Sequence, residues 1–157
     1  MPQTQHQDEN GQPGDEGDLS DLLSELRILL PGAQMLTAFL IILPFNGGFA
    51  KIVQAEKVVF LLTFFLSMTS LVLLSAPAIQ HRVMRPLQDR ERFKRVADRI
   101  MMCGAFSLAL AFILGTNLVM SEVFGHIAGI IAGVLMGSLI ICMWWWLPLH
   151  LKSSKKI

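Results

Sequence analysis

The sequence predicts an all-α polytopic membrane protein, four transmembrane helices forming a four-helix bundle behind an N-terminal amphipathic helix. Three observations carry this. Of 157 residues, 53% are hydrophobic and only 16% are charged, with mean hydropathy +0.54; a soluble domain carries about 25% charged residues. The apolar residues gather into runs near or above the roughly 18 that mark a span. The last run, GHIAGIIAGVLMGSLIICMWWWLPL, repeats glycine every fourth residue at Gly125, Gly129, Gly133 and Gly137. On a helix these share one face. In water each would cost about 0.8–1.0 kcal/mol relative to alanine; in lipid they let a second helix approach closely.

Residues 1–17 are rich in Gln, Gly, Pro, Asp and Glu. They cannot bury enough apolar surface to offset ordering entropy and are expected to be a disordered acidic tail. The polar, acidic start lacks the basic-then-apolar pattern of a secretory signal. In residues 18–30, Leu19, Leu22, Leu23, Leu26, Leu29 and Leu30 recur at helical spacing opposite Ser20, Asp21, Ser24 and Glu25. Asp18 supplies an N-cap. This segment reads as an interfacial amphipathic helix or as the start of the first span.

Pro31-Gly32 interrupts it. The 15 residues from Pro31 to Phe45 reach about 22 Å, short of the ~30 Å hydrocarbon core. The first span is therefore placed at residues 28–46, kinked or broken at Pro31. Asn46-Gly47-Gly48 signals a turn. The second span covers residues 58–79, uncharged, with Thr63, Ser67, Thr69 and Ser70 able to bond their own i−4 carbonyls or another helix. A long basic segment follows. The third span covers residues 100–120, residues 121–125 form a hinge, and the fourth span covers residues 125–149. Residues 150–157 are a basic tail. Cys103 and Cys142 lie inside apolar runs without metal-ligand spacing and read as buried packing residues.

Four spans put both termini and the middle loop on one side. That side holds eleven Lys and Arg residues; the other holds Lys51 and Lys57. By the positive-inside rule the eleven are cytoplasmic. Trp144, Trp145 and Trp146 then anchor the inner end of the fourth span at the headgroups. Net charge is +1, which gives no pull toward nucleic acid. The expected surroundings are the lipid bilayer and, as partner, another membrane protein or a second copy.

Polar groups within spans are the default functional candidates. Gln34 and Asn117 carry amides that lipid cannot satisfy; each reads as a substrate contact or, preferably, as an interhelical hydrogen bond worth about 0.6 kcal/mol. Glu122 and His126 are four apart and would meet on a continuous helix, a candidate proton sensor or relay; the plainer reading, and the preferred one, leaves both in the hinge, wetted by headgroup water. His81, Arg82 and Arg85 follow the second span, where cations suit the helix dipole and lipid phosphates, or simply set topology. The glycine ridge is expected to pack helices within one subunit rather than between two. No nucleotide loop, dinucleotide fingerprint, metal motif or activated nucleophile is legible, and Ser, His and acid residues are not expected to fall together. The chain is therefore read as non-enzymatic, without cofactor or metal.

The runs ELRILLPGAQMLTAFLIILPF, SAPAIQHR and RFKRVADR resemble a family of small bacterial four-helix membrane proteins of unknown function. The resemblance covers residues 24–149. It implies four spans in a bacterial plasma membrane and brings no established activity, although members are sometimes labelled sodium:proton antiporters. Such antiport usually needs a mid-membrane carboxylate and a broken helix. No Asp or Glu lies at the centre of any expected span here. Two functions follow as expectations: a non-catalytic accessory or scaffold protein, or a small transporter or proton-linked sensor using Gln34, Asn117, Glu122 and His126.

Overall fold

The computed structural model describes residues 13–45, 53–83 and 90–154. Helix α1 spans Pro13–Ile42 and ends in a 3-10 turn, Leu43–Phe45. Helix α2 spans Gln54–Val83, α3 spans Arg90–Phe124 and α4 spans His126–Ile141. A π-helical turn, Cys142–Trp146, carries α4 into α5, Leu147–Ser154. The described residues contain no strand. Four segments are long and apolar enough to cross a membrane: Leu26–Phe45, Gln54–Gln80, Arg95–Phe124 and His126–His150. Large apolar side chains such as Ile28, Met35, Val72, Ile127 and Leu149 cover the outside, as a chain solvated by lipid requires.

Of the two outcomes left open at Pro31, a kink or a break, the chain does not break. Proline removes the N–H that would bond the Arg27 carbonyl, but α1 runs through it without losing helical continuity. The amphipathic segment and the first span are therefore one helix. Residues 13–17, expected in the disordered tail, begin it; residues 1–12, the Asn46-Gly47-Gly48 turn, Arg85 and the final lysines lie outside the described residues. The basic stretch from Arg90 to Arg99 belongs to α3 rather than to a loop. The hinge expected at residues 121–125 narrows to Gly125, whose φ of +93° is open to glycine and strained for other residues.

Packing follows seams of alternating four- and three-residue steps. On α2 the buried positions are Thr63, Ser67, Ser70, Leu74 and Pro77; on α3 the seam runs through Phe93, Ala97, Met101, Gly104, Leu108, Ala111, Gly115, Leu118 and Ser121, with Ala109 buried beside it. A mean step of 3.5 residues keeps one seam on one neighbour. Gly104 makes the approach close: a Cβ there would lie 3.0 Å from Leu74 Cγ. Leu26, Ala33, Leu74, Phe93, Ala97, Met101 and Leu108 form a continuous core across α1, α2 and α3. Thr37 Oγ1 donates to the Ala33 carbonyl at 2.8 Å and lies 2.6 Å from Ser67 Oγ, which ties α1 to α2. Thr63 and Ser70 bond carbonyls of their own helix.

The helices do not close into the expected bundle. Among the described helices α1 packs mainly on α2, α2 on α3, and α4 along α3, with no close backbone approach to α1 or α2. Cys103 and Cys142, expected to be buried, are both exposed on this apolar exterior.

Candidate functional site

The α3–α4 hairpin is built by glycine. Gly129, Gly133 and Gly137 are buried against α3. A Cβ on Gly129 would stand 2.7 Å from the Asn117 carbonyl oxygen and 2.8 Å from Ser121 Cβ; one on Gly133 would stand 3.3 Å from Asn117 Cβ; one on Gly137 would meet Ile113 at 3.4 Å. Gly125 has nothing within 4 Å and serves the turn instead. The ridge thus divides into three packing positions and one conformational position.

At the hairpin's tip, three helices meet through one hydroxyl. Ser121 is buried on the last turns of α3, 7% exposed. Its Oγ donates to Glu56 Oε1, on the first turn of α2, at 3.1 Å, and lies 3.3 Å from Nδ1 of His126, the first residue of α4. The Glu122–His126 pairing that a continuous helix would allow is absent: Gly125 turns the chain between them, Glu122 is exposed with no ion pair among the described residues, and His126 reaches Ser121. Acid, serine and histidine do come together, against expectation. Their order matters. The hydroxyl sits in the middle and its single proton is committed to the carboxylate, so the acid does not orient the imidazole as it does in a nucleophilic triad. No three of His, Cys, Asp and Glu cluster among the described residues.

Further along the same hairpin, Asn117 lines an open groove of about 500 Å³ with Ile113, Ile130, Gly133, Gly137 and Ser138. Ser138 Oγ is already bonded to the Val134 carbonyl at 2.8 Å. The Asn117 amide makes no hydrogen bond among the described residues. Gln34 is exposed on α1 and shares no bond with Asn117. The four polar candidates therefore do not converge: His126 meets Ser121, Asn117 lines the groove, and Gln34 and Glu122 stand apart.

The opposite end carries the tryptophans. Leu147 N–H bonds the Cys142 carbonyl, five residues back. Pro148 explains this wider turn, since its ring would collide with the Trp144 carbonyl in a regular helix. Trp145 meets Phe106 of α3 edge-on at 6.4 Å, and Trp146 lies 5.4 Å from His150. Arg82 is exposed near the end of α2. The His81 side chain, like Arg85, lies outside what is described.

Glu56 and Ser121 escaped the sequence reading. Nothing local marks Glu56, and Ser121 was absorbed into the hinge; only a tertiary contact joins them. Among known proteins, one family profile matches residues 14–148, that of a family of unknown function (DUF6328). No curated protein matches. No solved structure matches either.

Proposed function

We propose that this chain, which belongs to the DUF6328 family of unknown function, is a non-catalytic accessory or scaffold protein of the bacterial plasma membrane that works by binding another transmembrane helix. The supporting observation is the α3–α4 groove. Among the described helices α4 packs on α3, and beside that contact lies an open apolar groove lined by the Asn117 amide, which has no hydrogen-bond partner among the described residues. Lipid chains offer such an amide nothing, whereas a helix bearing a small or polar residue offers both close packing and a hydrogen bond. The partner is a membrane protein or a second copy. Both termini are cytoplasmic in this reading, supported by eleven basic residues against two.

The test is a photoreactive residue at position 138, with Cys103 and Cys142 replaced by serine, irradiated in native membranes. An adduct is expected whose mass separates a second copy from another protein, and Asn117→Leu should reduce it by at least fivefold. Failure to form an adduct, or an adduct indifferent to Asn117→Leu, removes the groove from the proposal.

A second reading, proton-linked sensing, is favoured over transport by the Glu56–Ser121–His126 chain. These residues sit at one end of the helices. Gln34, Asn117 and Glu122 do not extend them into a path across the membrane.

A further inference from the structure

We propose that Glu56, Ser121 and His126 form a proton-operated latch that fixes the start of α4 against α2 and α3. It rests on the sensing reading and assigns it a moving part, the peripheral helix α4.

The argument begins with proton counting. The Ser121 hydroxyl has one proton, and the Oγ–Oε1 contact uses it. The bond to His126 can then form only if Nδ1 carries a hydrogen. A neutral imidazole does so in one of its two tautomers; an imidazolium always does. Protonation therefore selects the bonded arrangement. It also converts a neutral contact into a charge-assisted chain, with imidazolium at one end and carboxylate at the other. Histidine is the side chain that ordinarily changes charge between about pH 5 and 8, while carboxylates keep their charge to lower pH.

The surroundings decide whether the latch has leverage. His126 opens α4, and the Ser121 hydroxyl of α3 stands between it and Glu56 of α2. From α2, Lys57 adjoins Glu56 in sequence; from α3, Glu122 is exposed; from α1, the last described turn, Leu43–Phe45, carries no charge. Lys51 lies outside the described residues. The latch acts where α4 begins. Past Ser121 the chain turns on a single glycine at φ +93°, and the backbone of α4 does not come close to that of α1 or α2. A helix held along one side and hinged at one residue is a suitable element for a single hydrogen-bond chain to bias.

The test uses the full chain, one copy per lipid nanodisc, so that its result does not depend on any partner in the groove. Cys103 and Cys142 are replaced by serine, and spin labels are placed at Val58→Cys on α2 and Ile131→Cys on α4, both exposed sites. The interlabel distances are measured at pH 6 and pH 8.5. One narrow population is expected at pH 6, falling at least twofold in weight at pH 8.5. His126→Asn, which keeps an uncharged donor near the Nδ1 position, should remove that pH dependence. Ser121→Ala should abolish the narrow population at both values, and Glu122→Gln should behave as the unsubstituted chain. The latch is overturned if the distances do not change with pH, if the change survives His126→Asn, or if Glu122→Gln abolishes it.

Discussion

Three glycines in this chain differ in what surrounds them or in backbone angle, and their substitution should sort accordingly. Gly129→Ala sets a methyl 2.7 Å from a backbone oxygen and 2.8 Å from Ser121 Cβ. Neither neighbour is the tip of a flexible side chain, so α3 and α4 must separate. A loss of roughly 1–3 kcal/mol is expected, as for other over-packed sites. Gly32→Ala meets nothing within 4 Å in the middle of α1 and should gain about 0.5–1 kcal/mol from helix propensity. Gly125→Ala has space but the wrong φ, and should lose about 1–2 kcal/mol. Unfolding in mixed detergent and SDS orders the three; Gly129→Ala proving neutral would show that the hairpin is looser than its distances. The fourfold spacing was legible in the sequence because a helix repeats nearly every four residues. That Gly125 stands outside the ridge was not, because a backbone angle leaves no mark in a residue pattern. The same angle removed the Glu122–His126 pair, whose inference required an unbroken helix.

At the scale of elements, hydropathy located the spans and missed their ends. The polar turns at Arg90 to Arg99 and Pro13 to Asp18 stay helical because a helix, once nucleated, adds residues cheaply, and nothing in the membrane boundary stops it. Pro31 allows either a kink or a break by its sequence, and one missing N–H is tolerated where Ala33 and Leu26 on the same helix are buried in the core. Pro148 shows the other outcome, a π turn through which Leu147 reaches back to Cys142. Pro148→Ala restores the missing donor and removes the collision with the Trp144 carbonyl. The turn should then become regular, rotating α5 by about 100°, the angle of one residue. A cysteine at position 150, now within 5.4 Å ring contact of Trp146, should change its maleimide labelling rate severalfold. An unchanged rate would mean that the tryptophan packing, rather than the proline, holds the π turn. The seam of Thr63, Ser67 and Ser70 was half legible. Hydroxyls in a span must bond something, but that Ser67 would choose Thr37 across the interface depends on where α1 docks.

For the whole molecule, orientation decides what the hydroxyl-linked site can respond to. The helices place Glu56, Ser121 and His126 at the Gly125 end of the α3–α4 hairpin, the end away from Arg82, the tryptophans and the start of α3. Eleven basic residues belong to the tryptophan side by sequence position and two to the other. Translocation of basic loops is disfavoured, so the Gly125 end is expected to face outward. Two single-cysteine variants test this in intact cells lacking Cys103 and Cys142. Val53→Cys, exposed before α2, should react with a membrane-impermeant maleimide at once; Val83→Cys, exposed at the end of α2, should react only after permeabilisation. The reverse pattern would turn the site toward the cytoplasm. Outward placement gives the latch an input, since the medium outside a plasma membrane varies in pH over the range in which imidazole changes charge. In that orientation the latch proposed above predicts that acidification outside tightens the start of α4, so that the groove α4 forms with α3, lined by Asn117, is held in one shape when the medium is acid and released when it is not.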